Sequence, residues 1–278
     1  MDPCMIVAPV HQPPALGQLV REWRALRKHS QLDLALAAEM STRHLSCIET
    51  GKARPSREAL GRIAATLDMP LRARNAMLLA AGYAPEYPER EWAAPALDRM
   101  RHAVELILAQ QEPYPAFVLD RQWNVLMANG AAMRVNRLLM DGRESRHANL
   151  LHQVFDPLDF RPVIVNWPAV AEKFLHHLHA QIAAAPTDPV PRRLLAEIAR
   201  YPDVPAPGAL HDGELPAPVL TLEFRSRAGE LRFFETITTF SMPHDVTLQE
   251  LRIESAFPAD AHTAAVCARL AREEIAVT

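Results

Sequence analysis

A chain of 278 residues carrying 30 Lys and Arg against 33 Asp and Glu is too long for one small module and long enough to build two cores. Its three cysteines, Cys4, Cys47 and Cys267, are scattered without a C-x-x-C pair, so neither a disulfide framework nor a metal site is implied and a reducing cytoplasm is expected. Its nine glycines form no phosphate-cradling loop, and G-x-S-x-G and H-E-x-x-H are absent, so catalysis is not expected.

Residues 1–14, MDPCMIVAPVHQPP, have neither a basic start nor a long apolar run, and they read as a disordered lead rather than a signal peptide or membrane span. Behind them the charge is polarised. Residues 15–82 hold eleven Lys/Arg against six Asp/Glu, whereas the other 210 residues hold nineteen against twenty-seven. A basic module beside an acidic remainder suggests phosphate contact at one end of the chain only.

Ser30 is placed to N-cap a helix that starts at Gln31, with Leu34, Ala35 and Ala38 at helical spacing until the pattern breaks at Glu39-Met40. Ser41 caps a second helix. In it Leu45 and Ile48 point inward, while Thr42, Arg43, Ser46 and Cys47 share the opposite, polar face. Gly51 stops this helix, Lys52 and Arg54 follow in a loop, and Pro55-Ser56 opens a helix over residues 57–67. Another helix spans 71–81 and closes at Gly82.

This spacing resembles the lambda-repressor-like (XRE) helix-turn-helix, with ETGKARPS at 49–56 standing where that family has an E-x-G-x-x-x-P run. The resemblance implies a five-helix DNA-binding domain over residues 15–84. Gln31 would touch a phosphate or a base, Ser41, Thr42, Arg43 and Cys47 would face base edges, and Ser46 would belong to the same DNA-binding face. Lys52 and Arg54 would hold phosphates. Arg43 is the expected specificity residue, since a guanidinium pairs bidentately with guanine O6 and N7. His44 either reaches the backbone or sits solvated. Where Cys47 stands, the family often has a longer polar residue. Arg24 and Glu49 match positions that form a partly buried, architectural ion pair.

Pro85, Pro88 and Pro95 mark a linker over 85–96, after which apolar periodicity resumes at Leu97, Val104, Ile107 and Leu108. Strands are predicted at 116–120 and 124–128 around an Arg121-Gln122 turn, then helices at 129–140, 169–185 and 191–201. A Pro- and Gly-rich stretch at 202–218 reads as an extended surface loop. Strands at 219–225 and 231–240 flank Ala228-Gly229-Glu230 as a hairpin, a further strand spans 250–255, and a helix spans 259–275. The fold class is therefore mainly α followed by α+β, with an antiparallel sheet of about five strands covered by helices.

Phe117, Trp123, Trp167, Phe174, Phe234 and Phe240 are the large residues placed either to line a cavity in this second domain or to pack its core. Alternation along 234–240 puts Phe234, Thr236, Thr238 and Phe240 on one face, a mixture of apolar and hydroxyl groups that suits a pocket and equally a half-solvated sheet. Asn129 and Asn166 could offer amides to a ligand, although Asn129 sits where an N-cap belongs. His176 and His179 share a helix face, but no nearby Glu or Cys completes a metal set, and a solvated face is the better reading.

The segments PAFVLDRQWNVLMAN at 115–129, Asn166-Trp167, and LRFFETITTFSMPHDVTLQELRIESAFPAD at 231–260 resemble the PAS-like ligand-binding domain of MmyB-like bacterial regulators. With the helix-turn-helix, the resemblance covers about residues 15–272. It implies a ligand-binding and dimerisation domain over 97–278 whose small apolar or amphipathic effector, such as a fatty acid, alters DNA affinity. A homodimer on a palindromic operator, acting as a repressor, is the expected mode. The rival expectation is a DNA-tethered dimerisation or protein-interaction module that takes no small molecule.

Overall fold

The computed structural model describes residues 16–185, 188–205 and 219–275. The lead at 1–14 and most of the loop read at 202–218 lie outside the described residues. The chain divides into two compact units, one over residues 1–88 with 244–246, the other over 89–243 with 247–278.

Five helices make the described part of the first unit: α1 (Leu16–Leu26), α2 (Gln31–Ala37), α3 (Thr42–Glu49), α4 (Arg57–Thr66) and α5 (Leu71–Ala80). Serines begin three of them. Ser41 Oγ accepts from His44 N, and Ser56 Oγ from Ala59 N, both at 3.1 Å. At α2, Ser30 Oγ accepts from Asp33 N at 3.1 Å while Asp33 Oδ2 accepts from Ser30 N at 3.0 Å, a reciprocal cap. Each such cap contributes about 1 kcal/mol to its helix. Val20, Trp23, Leu34, Leu45, Ile48, Leu60, Ile63, Leu67 and Met77 close the core, which fixes the outward face of α3 by elimination. At Gly17 a Cβ would come 2.2 Å from the Glu49 carbonyl oxygen, so only glycine lets α1 approach the end of α3 this closely.

The second unit holds α6 (Asp98–Gln110), β1 (Ala116–Leu119), β2 (Val125–Ala128), α7 (Gly130–Leu139), α8 (Leu150–Phe155), α9 (Trp167–Ala184), α10 (Pro189–Ile198), β3 (Thr221–Ser226), β4 (Gly229–Thr238), α11 (Val246–Glu250, whose first residue falls in the other unit), β5 (Arg252–Pro258) and α12 (Ala261–Ile275). The five strands form one antiparallel sheet in the order β2-β1-β5-β4-β3. On one face, here the outer, Val104 and Leu108 of α6 pack against Ala116, Val118 and Ile253. On the inner face, α7 and α12 pack against Leu231, Phe233 and Ala256, while α8, α9 and α10 enclose a second cluster around Leu119, Trp123, Trp167 and Leu222.

Sequence periodicity did not show α8 or α11, each too short to display a repeat. The segment read as a linker is tied down at both ends. Asn75 Oδ1 accepts from the backbone N–H groups of Glu86 and Tyr87, and Arg101 donates to the carbonyls of Trp92 and Ala94.

Candidate functional sites

The polar face of α3 stands clear of the first unit's core. Ser41, Thr42, Arg43 and His44 are exposed, and Ser46 and Cys47 are half-buried where α3 meets its neighbours. The Arg43 side chain makes no hydrogen bond or ion pair among the described residues, and the same holds for the Lys52 side chain just past Gly51. The helix's inner end is locked. Arg24 grips Glu49 with two bonds, Nε to Oε1 at 2.7 Å and Nη2 to Oε2 at 3.1 Å, and the Glu49 side chain is 1% exposed. This pair raises the Arg24 pKa, first through the hydrogen bond.

Besides Ser41, whose hydroxyl caps α3, two DNA-contact residues expected from the sequence have side-chain partners inside the protein. Gln31 is half-buried and its Nε2 donates to Glu49 Oε2 at 2.7 Å, extending the Arg24–Glu49 pair to the start of α2. Arg54 donates to the carbonyls of Ala81 at 3.0 Å and Gly82 at 3.2 Å, and its guanidinium lies 4.8 Å from the Tyr83 ring centroid. The expectation that Arg54 holds a phosphate meets a guanidinium already engaged, because its fork satisfies the carbonyls just past the end of α5. Arg27, Arg62 and Arg74 likewise donate to the carbonyls of Leu67, Ala38 and Met69. Much of the first unit's basic excess therefore caps helix ends, and the charge count overstated its free positive surface.

In the second unit, a cavity of about 210 Å³ opens between the inner sheet face and α7, α8 and α9. Phe117, Leu222, Phe224, Phe233, Glu235 and Ala256 come from the sheet, Ala132, Met133, Val135, Asn136 and Leu139 from α7, and Val170 and Phe174 from α9. Leu150, Gln153, Val154, Phe160 and Ile164 line the rest with Pro115, Val125 and Ala128. An apolar cavity of ~150 Å³ already admits a benzene-sized guest, so this volume suits a small molecule.

Of the eight side chains chosen from sequence, Phe117 and Phe174 line the cavity. Phe234, Thr236, Thr238 and Phe240 do not, which corrects the face assigned to that strand. Pairing of Leu222 with Phe233 and of Glu235 with Ala256 turns Leu231, Phe233 and Glu235 inward. Phe234 then stacks on Phe257 of β5 at 5.4 Å on the outer face, Thr236 and Thr238 are exposed, and Phe240 packs with the α6 cluster. With Phe233 and Phe234 adjacent, either phase begins on an aromatic, and a one-residue slip exchanges the faces. The overlooked signal was the alternation Leu222, Phe224 in the partner strand.

Trp123 and Trp167 are core residues, also outside the lining. Trp123 is 2% exposed, with Arg252 3.9 Å from its ring and Phe174 and His177 edge-on at 5.4 and 5.1 Å. Trp167 donates from Nε1 to the Val154 carbonyl at 2.9 Å under the guanidinium of Arg161. Asn129 is the N-cap of α7, accepting from Ala132 N at 2.9 Å, and it also bridges Ala116, Leu108 and Tyr114. Asn166 joins Thr221 and Glu223 of β3. His176 and His179 are exposed, and among the described residues no cluster of three or more His, Cys, Asp or Glu could hold a metal. Nor is any described helix long and apolar enough to cross a membrane.

Beside the cavity lies a charged group. Lys173 Nζ of α9 meets Glu235 Oε2 at 3.0 Å, and Arg252 Nη1 meets His177 Nε2 at 3.2 Å. Burial, followed by the charge of Arg252, pushes the His177 pKa down to about 4. Glu254, 4% exposed, is pushed up to about 7 by burial and then by Glu235.

The family model described as the MmyB-like transcription regulator ligand binding domain matches residues 100–270, more than half of the chain. This chain belongs to the MmyB-like transcription regulators. A second family model, helix-turn-helix, matches residues 20–73 of the same MmyB-like chain, spanning α2 and α3. Both matched families are regulator modules rather than enzymes, and together they make the chain a DNA-binding transcription regulator with a ligand-binding domain. A search of curated proteins found no match. A solved structure described as "Structure of an RNA-binding Light-Oxygen-Voltage Receptor" aligns at 10% identity over 96% of this chain with a TM-score of 0.26, and this chain spans 64% of that structure's length.

Proposed function

We propose that this MmyB-like regulator is a cytoplasmic repressor that binds a palindromic operator as a homodimer and is switched by a small apolar or amphipathic molecule in its second unit. The observation that carries the reading is the cavity, apolar apart from Asn136, Gln153 and Glu235, in a chain whose α3 presents an unpartnered arginine. Arg43 reads a base, Ser41, Thr42, Ser46 and Cys47 shape the fit around it, and Lys52 neutralises a phosphate. Gln31 positions the start of α2 through Glu49. One such helix reads only a few base pairs, and two-fold symmetry supplies the remaining affinity.

Ligand control requires that the effector bind the DNA-competent and DNA-incompetent states with different affinity. A fatty acid's alkyl chain suits the lining, whereas the charge its head would meet is set by Glu235. Native mass spectrometry of the full chain purified from cells tests the reading. A small added mass that leaves on denaturation is expected. A bare chain that no apolar compound stabilises would instead support the interaction-module reading, which the stacked Phe234–Phe257 pair beside exposed Thr236 and Thr238 favours as a protein-facing surface.

A further inference from the structure

Among the residues lining the cavity, Glu235 is the one that carries a charge. Its side chain is 12% exposed, and Lys173, 41% exposed, holds one of its oxygens. Among the described residues, the other oxygen has no hydrogen bond. Glu254 stands next to it on the same sheet face. The pairings Glu235 with Ala256 and Ile237 with Glu254 make the two carboxyls diagonal neighbours, and Phe117, another lining residue, lies directly across from Glu254 on β1. The Glu254 side chain has no hydrogen bond or ion pair among the described residues. Arg252, two residues away on that face, is turned to the His177 ring nitrogen and the Trp123 ring.

The wall of a mostly apolar cavity thus presents one carboxyl, Glu235, with one oxygen held by Lys173, and Glu254 lies just outside the lining as its diagonal neighbour, near the positive charges of Arg252 and Lys173. A buried carboxyl without a partner either keeps a proton or awaits a cation. We propose, resting on the reading of the cavity as the effector site, that the effector is an apolar molecule bearing a protonated amine, which seats against Glu235 with Glu254 beside it. An alkyl or aryl body fills the space between α7 and the sheet, the ammonium donates a charge-assisted hydrogen bond to the Glu235 oxygen that Lys173 does not hold, and Glu254 adds Coulomb attraction when ionised. A carboxylate head would face Glu235 instead, and Coulomb repulsion in this poorly hydrated space opposes it.

The test is isothermal titration calorimetry of the full chain with hexylamine, hexan-1-ol and hexanoate at pH 6, 7 and 8. The charged groups acting on Glu254 are Glu235 on β4, Arg252 on β5 and Lys173 on α9, and His177 on α9 meets Arg252 and Lys173 in turn. Ionisation of Glu254 through about pH 7 should strengthen amine binding as pH rises, while His177, near 4, stays neutral. Hexylamine is expected to bind at least about tenfold tighter than the alcohol or the acid at pH 8. Glu254→Gln should weaken the amine about tenfold, remove its pH dependence and leave the alcohol unaffected. Hexanoate or hexan-1-ol binding as tightly as the amine, or amine binding that ignores both pH and Glu254→Gln, would overturn the proposal while leaving the effector site standing. Failure of all three probes at every pH would overturn the effector-site reading and this inference with it.

Discussion

Arg24 and Glu49 should respond unequally to replacement, and the asymmetry follows from their exposure. Glu49 is 1% exposed and Arg24 19%, with two bonds between them and a third to Glu49 from Gln31. Arg24→Met strands a carboxylate that water cannot reach, with Gln31 Nε2 as its remaining side-chain donor among the described residues. Breaking a buried pair in this way costs about 3–5 kcal/mol. Glu49→Met leaves a guanidinium that can hydrate at the surface and still donates to the His29 carbonyl at 3.1 Å, so about 1–2 kcal/mol is expected. Native-state hydrogen exchange in the full chain reads the difference at Leu45, whose amide bonds to the Ser41 carbonyl within the first unit. Since about 1.4 kcal/mol is a factor of ten, Arg24→Met should lower protection there by at least about 100-fold and Glu49→Met by about 5- to 30-fold. A double-mutant cycle should show coupling between the two. Equal losses, or a larger loss in Glu49→Met, would refute the argument from uneven burial.

At the DNA face, Arg43→Ala should cost about 1–3 kcal/mol on cognate duplex and relax sequence choice, whereas Lys52→Ala should weaken all sequences alike and flatten the salt slope by about one, both read by fluorescence anisotropy. Arg54→Ala should instead lower the first unit's melting temperature, because it releases the carbonyls of Ala81 and Gly82; unchanged melting with a flattened salt slope would return Arg54 to the phosphate contacts. In the cavity, Ala132→Leu should abolish stabilisation by a bound ligand in thermal-shift assays while Thr236→Leu leaves it intact, and the opposite pattern would restore the outer face of β4 as the ligand wall. For pH, the folded pKa of Glu254 is raised from the ordinary 4.5 to about 7, so the folded state holds the extra proton and stability falls as pH rises across that window. His177, lowered from 6.5 to about 4, acts with the opposite sign between those values. Urea titrations of Glu254→Gln should therefore show stability rising from pH 4.5 to 6.5, with no decline through pH 7 and a more stable protein than the parent at pH 8. A decline matching the parent's would sink the assignment.

The first unit was legible because local chemistry specified it. Serine caps at 30, 41 and 56, Gly51 at φ 73° and the inward Leu45 and Ile48 determine α2, α3 and α4 within one or two residues. What the sequence concealed there was the engagement of its arginines, since a cation capping a helix carbonyl and a cation awaiting phosphate have the same one-letter code. In the second unit, strand positions were legible from alternation, but the inward face of β4 was not. That choice is made across strands, where Phe233 meets Leu222 and Glu235 meets Ala256, and adjacent phenylalanines disguise it. The cavity's α7 wall was present in the sequence only as a helical apolar stripe, indistinguishable from one that fills a core. Glu235 and Glu254 drew no notice because they are 19 residues apart, and only the pairing of β4 with β5 makes them neighbours.

Coupling between the cavity and α3 is the central claim, and operator affinity with the cavity occupied tests it most directly. Fluorescence anisotropy of the full chain on its operator duplex, with and without a cavity ligand, should give two different dissociation constants, and Ala132→Leu should make them equal. A ligand shown by calorimetry to occupy the cavity that leaves the dissociation constant unchanged would contradict the account.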